Sequence, residues 1–564
     1  RNVMDFVTAL ARLGVSPVSD ITIFPASKII TMNSYQAVAT HVAVRDGRIL
    51  GVGSLDDVTG WGDYVIDDRF ADKVLMPGFV EGHCHLWQGS IWRYHYLGYH
   101  PRVGPDGKVY EGLESIDSVS EKLVKIEAAM PDDDTPLVAW GFDPIYFGGR
   151  RMDLRDLDKV STTRHVVVLH SNGHLLNVSR SVLAAANITS AINIDGIAKD
   201  VDGEPTGELQ ETAAKSMALN AIGLDYNTEA SEKLSLENFG RLACQTGVTT
   251  ATDLHNGLSE EFVRNLVTWT NDDDFRFRIA PAFAGISVPT DQGVARMAEL
   301  VKLNNDKLRF GLVKLMTDGS IQGMTGRLRW PGYYNGAPNG IWNMSPDQIY
   351  TTVQAYHDAG YQVHIHTNGD EASEVTINAI EAALVKTPRR DHRHTLQHCQ
   401  MADESQYRRM AALGIGVNVF SNHIYFWGDE HRTQTMGPDR AKRANAAATA
   451  IRLGVPFAIH SDAPVTPLGP LFTAWCAVNR LTASGYLLGP NERITVADAL
   501  SAITLGAAYS LKMDQEIGSI EVGKRADFAV LEDDPTAIAP VELKDIPVWG
   551  TVLGGRIFSA RDED

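Results

Sequence analysis

The sequence predicts an α/β fold: a (β/α)8 TIM-type barrel, a small β-sandwich domain formed from both chain ends, and a long insertion after the first barrel strand. Three observations carry this prediction. Through the middle of the chain, strand-like runs alternate with helical stretches, the texture of a parallel sheet joined by crossover helices. Metal-liganding residue types fall at the C-terminal ends of several of those runs, where barrels build their sites. Both ends are β-rich and lack the alternation.

Residues 1–17 read as a short amphipathic helical extension outside the main fold. Residues 18–76 form the first part of the β domain, with runs at Ile29–Met32 and His41–Val44. Asp46-Gly47 then turns the chain into Arg48–Val52, a hairpin signal. Residues 77–511 are assigned to the barrel. Its clearest unit opens at Ser345-Pro346-Asp347-Gln348, an N-cap, a Pro at N1 and a capping-box Gln. Ile349, Val353 and Tyr356 follow at helical spacing, Gly360 ends the helix, and Tyr361–His366 reads as a strand. Eight barrel strands are expected to end near His85, Asp253, Phe283, Met316, His366, His398, Phe420 and Ser461. This leaves residues 90–245 as an insertion with its own helix (Val119, Leu123 and Ile126 on one face) and a strand at Val166–His170. Residues 512–564, with runs at Ala526–Leu531 and Val548–Leu553 and a turn at Gly554-Gly555, complete the β domain.

The 564 residues are 44% hydrophobic and 21% charged, an ordinary globular composition, and carry a net charge of −19. That charge argues against a nucleic-acid or anionic-membrane surface, both of which need clustered Lys and Arg. No apolar run approaches the roughly 18 residues of a membrane span. Four cysteines, Cys84, Cys244, Cys399 and Cys476, do not make a disulfide framework. The cytoplasm is the default location, a processed leader being compatible with a start at Arg1, and a homodimer is the default assembly.

Candidate chemistry begins at Pro77–His85. Alternate residues on a strand face the same way, so His83 and His85 point together, which suits two imidazoles on one ion. A lone His-x-His is more often core or surface accident, but four further strand ends join it. Val313–Ser320 buries a lysine, Lys314, in an apolar strand, where an ammonium is costly unless paired or chemically altered. His366 precedes Gly369-Asp370, His398 ends the next unit, and Asp462 lies in His460-Ser461-Asp462-Ala463-Pro464. His366 to His398 is 32 residues, one βα unit, and His398 to Asp462 is 64, two units.

In this order (HxH, strand-borne Lys, His, His, Asp) the chain resembles the amidohydrolase superfamily, and more narrowly the YtcJ-like branch (amidohydrolase family 3), which includes N-substituted formamide deformylases. The resemblance extends over Leu154–Asp158, Asn172-Gly173-His174 with Asn177, Gly207–Glu211, Lys314 with Asp318-Gly319-Ser320, Ser461–Pro464, and Gly518–Ile520 with Gly523–Asp527. It implies a metal-dependent hydrolase of non-peptide C–N bonds in an amide- or formamide-type small molecule. His83, His85 and Asp462 would hold one divalent ion, zinc by preference although Mn, Fe or Ni fit the same donors. His366 and His398 would hold a second, with Lys314 bridging as a carboxylated lysine. The alternatives for Lys314 are a plain ammonium orienting substrate over a single ion, or a side chain reaching out of the barrel. Asp462 would act as general base and then acid. Two positions depart from the family pattern: Glu81 where Asp is common, and His460 where Gly is common.

His174 is a candidate to polarise a substrate carbonyl, the competing reading being a structural histidine bonded to backbone. His423 and Trp427, in an aromatic stretch after the seventh strand, are candidates for a substrate wall, with Trp87 and Trp92 opposite; plain packing is the competing reading. Two rival functions remain. A deaminase of the same superfamily would carry a Glu three residues after the fifth-strand His, where this chain has Gly369. A catalytically silent scaffold tends to lose ligands, and here all six positions are filled.

Overall fold

The computed structural model describes residues 20–561; the expected helical extension over residues 1–17 lies outside the described residues. Eight parallel strands form the central sheet: β1 (Phe79–Glu81), β2 (Val248–Asn256), β3 (Arg278–Ala284), β4 (Leu312–Met316), β5 (Gln362–Thr367), β6 (Thr395–His398), β7 (Gly416–Val419) and β8 (Phe457–Ile459). Each pairs with the next in sequence, as a TIM-like barrel requires. These runs are almost wholly buried, because helices cover the outside and the strands' own side chains fill the inside, so the polar groups of β4 and β5 (Lys314, His364 and His366) lie within the barrel. Between β8 and β1, backbone bonds just beyond the strands close the seam: Asp462 N–H to the His83 carbonyl (3.0 Å) and His85 N–H to the Ala463 carbonyl (2.8 Å).

Strands β4 and β6 end on the expected residues, whereas β1 stops at Glu81, four residues before His85. Past Glu81 the chain leaves the ladder for the seam bonds, so His83 and His85 are carried by a pinned loop. The helix Pro346–Asp358 has the expected capping box, with Ser345 and Gln348 exchanging bonds, and Gly360 takes φ +88° after it. In register, Met316 on β4 lies beside His366 on β5, and Thr367 beside His398 on β6, which sets His366 and His398 near one level of the rim.

Strands from both chain ends pair in one eight-stranded sheet, in which Leu531 lies opposite Val74. Asp46 and Gly47 both take positive φ (53° and 73°), as a two-residue I′ hairpin demands. The buried guanidinium of Arg278 on β3 makes two bonds to Asp527 (2.7 and 3.0 Å), tying barrel to end sheet. The chain between β1 and β2 builds a mixed six-stranded sheet, including Leu137–Phe142, Val166–His170 and Leu175–Val178, and the helix Ile116–Ala129 buries Val119 and Leu123. Among the described residues, no helix is long and apolar enough to cross a membrane.

Candidate functional site

At the C-terminal rim of the barrel, one ligand atom from each of His83, His85 and Asp462 lies within 4.8 Å of the others. Asp462 Oδ1 is 3.0 Å from His85 Nε2 and 3.3 Å from His83 Nε2, and Oδ2 is 3.9 Å from His398 Nε2. Oδ1 is nonetheless buried without a partner of hydrogen-bond geometry. Donor atoms converging on a shared point, rather than on each other, produce that combination. Two of these residues hold left-handed backbone, Asp462 at φ +51° and His398 at φ +74°. Non-glycine residues adopt this conformation at a cost, and it is concentrated at functional positions.

The supporting shell fixes the rings. His83 Nδ1 donates to Gln397 Oε1 (2.7 Å), which leaves Nε2 facing Asp462; Gln397 in turn donates to His364 Nδ1 (2.8 Å). His85 Nδ1 lies 3.4 Å from the buried Asp253 carboxylate. Orientation by such partners is a regular part of metal sites. Burial, the dominant cause, pushes His83, His366 and His398 well below the usual histidine range, with Lys314 among the neighbouring cations that add to it. They are therefore neutral, the form that ligates. Burial also lowers His85, but its contacts with Asp253 and Asp462 outweigh this and raise it.

Lys314 is 2% exposed, its Nζ 3.3 Å from His83 Nε2 and donating to the Leu254 carbonyl at 2.8 Å, so it stays inside the barrel. Burial brings it down to about 7, against the opposing pull of Asp462 and Asp253. His398 packs 4.6 Å, ring to ring, from both His83 and His366. His366 stands somewhat apart: its Nε2 is 3.0 Å from the Gly319 carbonyl, and it belongs to neither group of three converging ligand atoms. The second such group is His83, His398 and His460. His460, noted in the sequence only as a departure, is fully buried and stacks on His83 at 4.6 Å.

Above the rim lies a cavity of about 450 Å³. Its lining joins His83, His85, Lys314, His366, His398 and Asp462 to residues of the insertion, among them His174, Glu211, Lys215 and Tyr226. His174 is not bonded to backbone through its ring: Nδ1 meets Glu211 Oε1 at 2.6 Å, and the ring packs 5.1 Å from His366. Burial would raise Glu211, but His174 and the bonds from His174 and Asn343 hold it below the usual carboxylate range. Glu211 takes φ +63° to bring its carboxylate there. Trp87 lines the cavity and packs on Tyr226. The expected substrate wall is placed elsewhere. His423 and Trp427 are buried (1% and 2% exposed) and do not line this cavity. His423 packs against Phe420 and bonds His431, while Trp427 donates to Asp143. Trp92 packs on Trp140 and Tyr110 instead of facing them.

Comparison with known proteins places this architecture. The amidohydrolase family profile matches residues 71–558. The chain belongs to the amidohydrolase family. This amidohydrolase is 28% identical to the Bacillus subtilis protein YtcJ, over 92% of its own length and 95% of the relative's. It is 24% identical to an N-substituted formamide deformylase of Arthrobacter pascens, covering 93% and 96% of the two chains. A metal-dependent hydrolase of Pyrococcus horikoshii shares the fold, with a TM-score of 0.68 at 18% identity over 92% of this chain and 99% of that one. A zinc-bound adenosine deaminase of Xanthomonas campestris overlays with a TM-score of 0.51 at 14% identity over 96% and 94%. Both structural likenesses speak to the amidohydrolase's fold alone.

Within the site, the sequence missed Gln397, Asp253 and His460 as functional positions, and gave Glu211 only as part of a family motif. Asp253 had a usable signal, a carboxylate at the expected end of β2.

Proposed function

We propose that this amidohydrolase cleaves a non-peptide C–N bond, of amide or formamide type, in a small molecule. The observation that carries the reading is the convergence of His83, His85 and Asp462 at the floor of a cavity into which His174 also projects. The donor set, two imidazoles and a carboxylate whose Oδ1 has no partner, fits a divalent ion of the zinc type. When bound, such an ion acidifies water and polarises a carbonyl. His398 and His366, with Lys314 as a carboxylated bridge, are proposed to hold a second ion. Asp462 would take the proton of the attacking water and return it to the departing nitrogen. His174, oriented through Nδ1 by Glu211, would polarise the scissile carbonyl.

Two things favour this reading over ring deamination. Similarity to the formamide deformylase covers nearly the whole chain. In addition, a Cβ at Gly369, where the rival reading needs a Glu, would lie 1.7 Å from the Arg327 carbonyl oxygen, so no side chain fits there without moving the loop. The test pairs metal analysis with a panel of formamides, N-acyl amino acids and cyclic imides. The purified protein is expected to carry at least one ion per chain and to hydrolyse members of the panel. Asp462→Asn and His398→Ala are expected to cut turnover by orders of magnitude with the fold intact. Near-wild-type activity in either variant would overturn the assignment, and a metal-free, inactive protein would support a silent scaffold.

A further inference from the structure

A second, smaller cavity of about 30 Å³ lies between the insertion and the barrel, lined in part by Tyr99, His100, Arg102, Tyr146 and Trp427. It shares Val465, three residues after Asp462, with the large cavity. Arg102 is 6% exposed and lies over the Trp140 ring at 5.1 Å. Its Nη1 donates to the Pro464 carbonyl at 2.6 Å, while Nη2 is buried without a partner. No carboxylate among the described residues pairs with it, and burial, opposed only by Tyr96, brings it down to about 10. His100 Nε2, on the same cavity, is also buried and unpartnered.

A guanidinium removed from water is strongly disfavoured unless an anion and hydrogen bonds compensate it. The other buried arginines among the described residues follow that rule: Arg278 faces Asp527, Arg164 bonds Glu127 and two carbonyls, and Arg480 spends its fork on three carbonyls. Arg102 alone of these four leaves a fork nitrogen idle, and it does so at the wall of a cavity. By volume that space takes about two water-sized groups, which is the pair of oxygens of a carboxylate. The planar fork of arginine matches a carboxylate, and Tyr99 and Tyr146, stacked at 4.6 Å, offer an apolar seat for a short carbon chain.

We propose that the Arg102 cavity is a carboxylate-binding site, distinct from the metal-liganding rim and separated from it by Val465. The carboxylate belongs either to a small free acid or to the tail of the molecule held in the large cavity, and the two sources give different results in the same set of measurements.

The probe is acetate, with acetamide as its neutral isostere, read by saturation-transfer NMR on the zinc-loaded protein. Acetate is expected to saturate at least tenfold more tightly than acetamide. Arg102→Met is expected to weaken acetate by roughly 10- to 150-fold, as for a lost charge-assisted hydrogen bond, with zinc content unchanged. Arg102→Lys keeps a cation near Trp140 and is expected to bind acetate more weakly than wild type while still preferring it to acetamide, so the proposal stays testable if the Met variant fails to fold. If the carboxylate is a substrate tail, Arg102→Met raises KM for carboxylate-bearing amides and not for their methyl esters. If it is a free acid, KM is unchanged for both while acetate binding is lost. Equal saturation by acetate and acetamide in wild type, or acetate binding in Arg102→Met within twofold of wild type, would overturn the proposal.

Discussion

Gln397→Leu tests the metal centre without needing the substrate. Gln397 Oε1 accepts the His83 Nδ1 proton at 2.7 Å and so fixes which ring nitrogen faces Asp462 Oδ1, 3.3 Å away. Leucine fills much of the same space but accepts no hydrogen bond, leaving His83 free to take the other tautomer. Loss of such an orienting partner weakens metal affinity by about 10- to 100-fold, roughly 1.4–2.7 kcal/mol. Competition for zinc against a chromophoric chelator reads this directly. Thermal melting gives a second reading: at zinc fixed at 100 times the wild-type Kd, binding stabilises wild type by about 2.7 kcal/mol, and the variant by only about 0.4–1.4 kcal/mol. Gln397→Glu, which still accepts from Nδ1, is expected to keep most of the affinity. Equal zinc affinity in Gln397→Leu and wild type would refute the inference that His83 ligates through Nε2.

Two further predictions concern stability. Burial raises Asp143 to about 6 despite the bonds from Trp427, Ile145 and Ser171. The folded state therefore binds this proton more tightly than the unfolded state, and stability falls as pH rises from about 4 to 6 and is level above. The loss is on the order of 3 kcal/mol. Asp143→Asn is expected to flatten that part of a urea-denaturation pH series; an unchanged slope would show that Asp143 is not its source. Asp527→Ala strips the buried Arg278 of its two carboxylate bonds and is expected to cost about 3–5 kcal/mol in the same assay. A loss below 1 kcal/mol would mean that Arg278 is compensated by Asp306 alone.

The residues that gather at the rim were legible because a barrel turns a three-dimensional arrangement into a one-dimensional one. Each βα unit returns the chain to the same rim, so His366, His398 and Asp462 are recognised by spacing and by position at strand ends. The supporting residues follow no such rule. Gln397 reaches His83 across 314 positions, and Glu211 reaches His174 from the far end of the insertion's last strand. Nothing local marks either pairing. His423 and Trp427 show a different failure. Taken as a loop on the active face, they looked like a wall, but Asn422–Glu430 is a helix, and its period sets residues four apart on one side. That side faces Phe420 and Asp143, which is why both rings pack inward.

The two departures from the family pattern act at one place, the seam between β8 and β1. Glu81 Oε1 accepts the Ser461 N–H at 2.8 Å, so the longer carboxylate spans from one strand to the other next to the backbone bonds that close the barrel. The imidazole of His460 fills the space beneath the rim that a glycine would leave, stacked between His83 (4.6 Å) and Phe420 (4.7 Å). Neither change removes a donor. Together they replace a backbone-lined floor with one that offers a third imidazole, so the His83–His398–His460 group and the His83–His85–Asp462 group share His83.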